Sequence, residues 1–252
     1  MKLLVDIGNS CLKWALWEKN LLSTQQRLPY QYHHFQQRLV QAWGQLQKPD
    51  QGIWVANVAG PQLAENLTQW TQKHWQMQPQ FITTSACEGE VKNGYKNAEQ
   101  LGVDRWLALI GARHLEKKML CVVDCGTAVT LDVLSVHGYH LGGLIMPGVT
   151  TMYNALLEKT YALAPVPNSW HWLDNVPLLA QETQMGITLG SLYAIIGLLE
   201  HVINSLENKV NKLVLILTGG EAPAIMSLLP RPYRYIPDLV LQGMVVVINR
   251  SL

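Results

Sequence analysis

The architecture of this chain is set by residues 121–132, which read CVVDCGTAVTLD. The apolar, β-branched beginning predicts a buried strand, and the end predicts a second strand that continues to Leu134. Between them lies the turn Asp124-x-Gly126-Thr127. Glycine lets backbone N–H groups approach a phosphate, threonine adds a donor, and the carboxylate offers a hard oxygen to a cation. The stretch therefore predicts two strands joined by a turn suited to a phosphate and its metal ion.

The same pattern of a strand followed by an Asp-x-Gly turn occurs at the N-terminus. Residues 3–7 form an apolar strand that contains Asp6, and residues 8–10 add glycine, asparagine and serine, with Lys13 shortly after. A single Asp-x-Gly is equally an ordinary hairpin turn, because both residue types favour turns. Two copies in matching strand contexts, each at the head of a half-chain, suggest a duplicated domain that faces one nucleotide.

Composition narrows the class of protein. The chain has 252 residues, of which 48% are hydrophobic and 15% charged, as in a globular protein of one large domain or two ordinary ones. A net charge of +1 provides no electrostatic footprint for nucleic acid. The cysteines show neither a disulfide framework nor a paired Cys-x-x-Cys pattern, which favours a reduced, cytoplasmic setting. They are Cys11, Cys87, Cys121 and Cys125.

We expect a soluble protein without a signal peptide. Asp6 interrupts the apolar N-terminus almost at once. The most apolar segment, residues 182–200, contains polar residues such as Thr183 and Gln184, so it predicts a buried core helix better than a membrane span.

The remaining pattern alternates strands with helices, which points to an α/β sheet protein. Further strands are predicted at residues 12–22, 53–56, 80–83 and 213–217. Helices are predicted at residues 36–47, from Pro61, and at residues 104–114, 150–159, 183–206 and from Leu239. Residues 85–97 and 165–177 are predicted loops.

Several residues near the predicted helix starts allow two interpretations. Asp104 fits a helix cap as well as a functional carboxylate, and Arg105 fits a surface cation as well as a carboxylate clamp. The glycine-rich residues 142–148, after a predicted strand and before a helix, allow either close approach to a ligand or a tight strand bend. Residues 218–220, Thr-Gly-Gly, are the counterpart of residues 57–60 and suit the base and sugar side of a nucleotide.

Other chemistries lack a sequence signal. The eight histidines show no metal-ligand spacing. There is no Walker A pattern, no Gly-x-Gly-x-x-Gly and no serine nucleophile elbow. Phosphate binding through the paired turns is the chemistry that remains.

Over nearly its whole length the chain resembles the type III pantothenate kinases of the actin-like, sugar-kinase-like superfamily. The resemblance rests on the order and combination of motifs, and no motif is specific alone. They are Asp6-x-Gly8-Asn9-Ser10, Gly94-Tyr95, Gly102-x-Asp104-Arg105, Asp124-x-Gly126-Thr127-Ala128-x-Thr130-x-Asp132, Gly142-Gly143-x-Ile145-x-Pro147-Gly148, Thr218-Gly219-Gly220 and Leu241-Gln242-Gly243. Ala98 stands where the family usually has proline, which concerns the rigidity of that loop and not the chemistry.

The resemblance implies an α/β fold of two ribonuclease H-like (actin-like ATPase) halves, residues 1–115 and 116–252, with duplicated mixed sheets flanked by helices. It implies a cytoplasmic homodimer that phosphorylates pantothenate with ATP, the first step of coenzyme A synthesis. The implied cofactors are Mg²⁺ with the ATP and a monovalent cation, potassium or ammonium.

The resemblance also implies roles for individual residues. Asp104 would be the catalytic base, Asp124 would ligate the monovalent cation, and Asp6 would lie near Mg²⁺. The implied ATP-binding residues are Asp6, Ile7, Gly8, Asn9, Ser10, Cys11, Leu12, Lys13 and Thr127. The implied pantothenate-binding residues are Tyr95, Gly102, Val103, Asp104, Arg105 and Thr183.

Three alternatives stay open. Asp124 fits a residue that only orients Mg²⁺ through water. The chain also fits another phosphotransferase or phosphatase of the superfamily, against which the Gly102-x-Asp104-Arg105 stretch argues. It further fits a non-catalytic accessory factor for transcription, against which the intact set of Asp6, Asp104 and Asp124 argues.

Overall fold

The computed structural model describes residues 1–30, 34–159, 176–207 and 213–250. The chain divides into two compact units. The first unit comprises Met1–Glu116, Gly138–His140 and Asp238–Leu252, and the second comprises Lys117–His137 and Leu141–Pro237. Most of the predicted loop at residues 165–177 lies outside the described residues.

Strands and helices alternate along the described chain. The strands are β1 (Lys2–Ile7), β2 (Cys11–Glu18), β3 (Leu21–Leu22), β4 (Gln26–Pro29), β5 (Ile53–Asn57), β6 (Gln80–Phe81), β7 (Cys87–Glu88), β8 (Val91–Lys92), β9 (Met119–Cys125), β10 (Ala128–Leu134), β11 (His140–Pro147), β12 (Leu213–Thr218) and β13 (Arg234–Tyr235). The helices are α1 (Phe35–Trp43), α2 (Pro61–Trp75), α3 (Val103–Leu115), α4 (Val149–Lys159), α5 (Thr183–Glu207), α6 (Ala222–Met226) and α7 (Leu239–Arg250), with a short 3₁₀ helix at Ala98–Gln100.

The two main sheets have the same topology. The first has the order β3-β2-β1-β5-β6, with β4 also paired to β2, and the second has the order β11-β10-β9-β12-β13. In each, a central strand pairs antiparallel with its hairpin partner and parallel with a later strand, as β1 does with β2 and β5, and β9 with β10 and β12. The predicted α/β fold with duplicated mixed sheets is confirmed.

A cluster of tryptophans forms the core of the first unit beside its sheet. Trp43 is fully buried, and its ring centroid lies 6.0 Å from that of Trp14 and 5.6 Å from those of Trp70 and Trp75. Trp70 lies on the buried face of α2, whose first residue is Pro61, as the sequence predicts. Each such aromatic pair adds about 0.5–1.5 kcal/mol beyond its area burial.

Helix α5 supplies a buried stripe to the core of the second unit through Leu192, Ile195, Leu199 and Ile203. The C-terminal half of α5 also binds Arg231, which donates bidentately to Glu200 at 2.6 and 2.8 Å. This charge-assisted pair lowers the pKa of the Glu200 carboxyl.

Among the described residues, α5 is also the one helix long and apolar enough to cross a membrane, a test that core helices pass as well.

Two segments contain strands that the sequence does not predict. Residues 142–147 lie inside β11, so the prediction that this segment follows a strand is wrong. Gly142 has a φ of +117°, which favours glycine and fits the tight strand bend that the sequence left open. Residues 85–97 contain the hairpin β7–β8, whose two-residue strands are too short to give a periodic signal.

Helices α3 and α7 pack within the first unit with almost no space between their backbones. A Cβ at Gly243 would lie 2.0 Å from the carbonyl oxygen of Leu107, and one at Gly111 would lie 2.7 Å from that of Leu239. The glycine of the Leu241-Gln242-Gly243 motif is therefore a packing residue. This contact places α7 in the first unit, although the sequence analysis assigns its residues to the second half.

We expect Gly243→Ala to lower the free energy of unfolding by about 1–3 kcal/mol, because the added methyl group must push the α3 backbone away. Denaturant unfolding measures the change. The matched control is Gly197→Ala in α5, where nothing lies within 4 Å of the new Cβ. Alanine in a helix interior is favoured over glycine by roughly 0.5–1 kcal/mol, so the control should be neutral or stabilised. Equal stabilities for both variants would contradict the packing argument.

Candidate functional site

The first phosphate-type turn begins at a buried carboxylate. Asp6 is 2% exposed, and its Oδ2 lies 3.3 Å from Nζ of Lys13. Lys13 lies in β2, directly opposite Asp6 in the antiparallel pair. Its Oδ1 is buried and, among the described residues, receives no hydrogen bond. Burying a carboxylate oxygen costs free energy unless a hydrogen-bond donor or a cation contacts it. Such an oxygen is a suitable ligand for a hard cation. Asp6 therefore suits a place beside a metal ion.

The turn that follows Asp6 is fixed by Tyr30. Its hydroxyl donates to the carbonyl oxygen of Gly8, and its backbone N–H donates to that of Ser10 at 3.1 Å. Burial, with the nearby Cys11 and Asp6, raises the pKa of Tyr30 to about 12, so the hydroxyl remains a donor at neutral pH. Asn9 and Ser10 stay exposed at the tip of the turn. No sequence motif predicts Tyr30, because its partner lies 22 residues away.

The carboxylate predicted to be the base stands at the start of α3. Asp104 is partly exposed, and its Oδ1 accepts a hydrogen bond from the backbone N–H of Arg105 at 2.7 Å. A Cβ at Gly102 would lie 2.6 Å from that oxygen, so glycine makes room for the carboxylate. The same Cβ would lie 3.8 Å from Val58, which directly follows β5 and donates to the Ile7 carbonyl at the end of β1. Asp104 therefore lies near the sheet edge where Asp6 stands.

Arg105 belongs to a small aromatic cluster. It is 7% exposed, so the surface-cation interpretation is wrong for this residue. Its Nη1 donates to the hydroxyl of Tyr95 at 2.9 Å, and its guanidinium carbon lies 5.6 Å from the centre of that ring. His140 stacks on the same ring. The structure thus brings together two residues predicted to bind pantothenate and one that the sequence did not indicate.

In the second unit, Asp124 occupies the position in β9 that Asp6 occupies in β1. It lies opposite Thr130 of the hairpin partner and Thr218 of the parallel strand. Gly219, with a φ of +92°, packs directly against it, because a Cβ there would lie 2.4 Å from Asp124 Oδ1. The Gly-rich turn after β12 and the Asp124 turn are therefore one packed structure.

Glu221 joins this structure to the start of α4. Its backbone N–H donates to the carbonyl of Cys125 at 2.8 Å. Its carboxylate accepts from the backbone N–H of Val149 at 3.0 Å and from Oγ1 of Thr150 at 2.5 Å. No sequence motif indicates Glu221, since the partners of its carboxylate lie 72 and 71 residues away.

Thr127 is held by its backbone and keeps an exposed side chain. Its carbonyl oxygen accepts from the backbone N–H of Gly148 at 2.9 Å and from Oγ1 of Thr151 at 2.6 Å. Thr183 is exposed at the first residue of α5. Within the described ranges, no three His, Cys, Asp or Glu side chains cluster as a metal site would require.

The cysteines are free thiols. Cys121 and Cys125 are fully buried in β9, as the sequence predicts, and burial raises the pKa of both. These two thiols therefore stay protonated and unreactive at neutral pH.

Comparison with solved structures shows which proteins share this fold. The chain superposes with a TM-score of 0.59 on a protein from Campylobacter jejuni assigned to the Baf family of transcriptional activators, at 22% identity over 99% of this chain and 98% of that one. It superposes with a TM-score of 0.56 on a protein from Sinorhizobium meliloti assigned as a 2-dehydro-3-deoxygalactonokinase. The identity is 13%, over 100% of this chain and 99% of that one. At these identities the likeness concerns the fold alone.

Sequence comparison identifies the family. The sequence model of the type III pantothenate kinases matches residues 2–205. Type III pantothenate kinases from Nitrosococcus oceani and Nitrosomonas eutropha are 38% and 36% identical to this chain, each over 97% of it and over 92% and 93% of their own lengths. The relative from Dichelobacter nodosus is 34% identical over 97% of this chain and 96% of its own. This chain belongs to the type III pantothenate kinase family.

Proposed function

We propose that this protein transfers a phosphoryl group from ATP to pantothenate, the first step of coenzyme A biosynthesis. Family membership over nearly the whole chain supports this function. The observation that carries it is the pair of buried or half-buried carboxylates, Asp6 and Asp124, at equivalent positions of two duplicated sheets. Phosphoryl transfer depends on positioning and charge neutralisation more than on covalent chemistry by the protein.

We propose that residues of each phosphate-type turn bind ATP. Residues 6–13 and Thr127 offer backbone N–H groups, hydroxyls and the Lys13 ammonium to the phosphates. Asp6, whose Oδ1 receives no hydrogen bond from the described residues, would hold Mg²⁺ directly or through water. When bound, Mg²⁺ neutralises part of the phosphate charge.

The pantothenate site that we propose lies at the start of α3. Tyr95, with Arg105 hydrogen-bonded to it at 2.9 Å, would meet the substrate together with Gly102 and Val103. Thr183 is proposed to bind pantothenate on the family resemblance alone. Arg105 suits a carboxylate, because its planar fork matches two carboxylate oxygens. Asp104 would accept the proton of the attacking hydroxyl.

Product analysis tests the function. The purified protein should convert pantothenate and ATP, with Mg²⁺ and potassium present, into equal amounts of 4′-phosphopantothenate and ADP. Omission of Mg²⁺ should abolish the product. Sugars offered in place of pantothenate should remain unphosphorylated, and a sugar phosphate would instead indicate another kinase of the superfamily. No turnover of ATP with any acceptor would favour a non-catalytic accessory protein.

We expect Asp104→Asn to lower kcat by about 10²–10⁴-fold, the usual loss when a general base is removed. The free energy of unfolding should hardly change, since the amide oxygen can still accept the hydrogen bond from the Arg105 N–H. Steady-state kinetics and denaturant unfolding measure the two effects. Near-normal turnover would leave Asp104 as a helix cap.

We propose that Asp124 binds a monovalent cation, potassium or ammonium, because a carboxylate beside ATP phosphates is repelled unless a cation lies between them. Replacing potassium by sodium at constant ionic strength should raise the KM for ATP and lower kcat. Asp124→Asn should remove most of this potassium response. Equal rates in both salts, with Mg²⁺ fixed, would favour the alternative in which Asp124 only orients Mg²⁺.

We propose that the protein is a cytoplasmic homodimer. The family resemblance supports a dimer, and so does α5, whose composition is apolar although part of its surface is exposed. Light scattering at micromolar concentration should give twice the chain mass of 28.3 kDa. A monomer mass would contradict the proposal.

A further inference from the structure

His140 is a buried aromatic residue that lies against the proposed pantothenate site. It is 3% exposed and belongs to the first unit with Tyr95 and Arg105. Its ring is stacked on that of Tyr95, with centroids 5.6 Å apart and planes inclined by 15°. None of the sequence motifs includes it, and the proposed function gives it no role.

The backbone around His140 fixes where its ring lies. A Cβ at Gly94 would lie 1.8 Å from the His140 carbonyl oxygen, so the two backbones touch. Nearby, the backbone N–H of Lys92 donates to the carbonyl of Gly138 at 2.9 Å. A Cβ at Gly138 would lie 1.8 Å from the carbonyl oxygen of Glu90. The segment Gly138–His140 therefore packs directly on residues 90–95. This contact leaves no space for a side chain at Gly94, which explains why the Gly94-Tyr95 motif has a glycine there.

Tyr95 is held by two different interactions. The His140 ring stacks on it, and the Arg105 guanidinium donates to its hydroxyl and also lies within 5.6 Å of its ring centre. Tyr95 itself is only partly buried, so the rest of the side chain remains available to a ligand. A side chain fixed before binding loses less conformational entropy when the ligand arrives.

We propose that His140 is a positioning residue for pantothenate: its ring stacks on Tyr95 and so fixes the Tyr95–Arg105 pair in the geometry that receives the substrate. The inference rests on the proposed function, because it assumes that these two residues contact pantothenate. Stacking is the property of His140 on which this proposal rests. An aromatic replacement should therefore preserve the site, and a polar one of similar size should not.

Three variants separate these properties. His140→Ala and His140→Gln should raise the KM for pantothenate by about threefold to tenfold, the size expected for loss of one aromatic pair. Their KM for ATP and kcat should stay within about twofold of the parent protein, because the ATP turns are untouched. His140→Phe should keep the parent KM for pantothenate. If His140→Gln keeps the parent KM and His140→Phe does not, hydrogen bonding is the relevant property and the proposal is overturned.

The matched control is Tyr139→Ala. Tyr139 directly precedes His140, is 48% exposed and has the Lys92 ammonium 4.9 Å from its ring centre, so it belongs to the same segment but presents its ring to Lys92. Its removal should leave the KM for pantothenate unchanged. An increase as large as that of His140→Ala would assign the effect to the packing of the segment and would overturn the role of the ring.

A second measurement does not depend on activity. The ring-flip rate of Tyr95, followed by NMR on ring-labelled protein without ligand, should rise in His140→Ala and His140→Gln but not in His140→Phe. Unchanged flip rates in all three variants would overturn the proposal even if the protein phosphorylates pantothenate. If the parent protein makes no phosphopantothenate, the proposed function fails by itself, and the flip rates still decide whether His140 positions Tyr95.

Discussion

The absence of a side chain at Gly219 leaves room for the end of the Asp124 strand, since a Cβ there would lie 2.3 Å from the Cys125 carbonyl oxygen and 2.4 Å from the Asp124 carboxylate oxygen. The same constraint acts on Asp104, whose Oδ1 would lie 2.6 Å from a Cβ at Gly102. Two carboxylates to which we assign roles thus fill space that a glycine leaves. Both glycines leave room for a neighbouring carboxylate, and at Gly219 the Cys125 carbonyl oxygen and a φ of +92° also disfavour a side chain.

The two turns are held in place by residues from elsewhere in each unit. Tyr30 donates to the turn that follows Asp6, and Glu221 joins the Asp124 turn to the start of α4 through two hydrogen bonds to its carboxylate. Hydrogen bonds to a charged group contribute about 1.5–3 kcal/mol each, roughly twice a neutral one. A turn fixed in this way keeps its N–H groups oriented before ATP binds, which is the condition for electrostatic stabilisation without reorganisation.

The active site that we propose is therefore largely formed in the absence of ligand. Asp6 keeps an oxygen buried without a donor among the described residues, and Tyr95 is fixed by His140 and Arg105. The buried Asp6 oxygen costs free energy unless a cation binds it. The fixed Tyr95 loses less conformational entropy when a substrate binds.

The sequence by itself determined the strand–turn–strand units at Asp6 and Asp124 and the helices that begin at Pro61 and beside Asp104. Local propensity, apolar periodicity and glycine in turns suffice for these features, because each depends on residues close together in the chain. The roles of the site residues remain predictions. Only the tertiary structure decided that α7 packs on α3 in the first unit, that Arg105 is buried, and that Tyr30, Glu221 and His140 support the site. Those contacts join residues far apart in the chain, and a single side chain brought to its partner by the fold leaves no periodic pattern in the sequence.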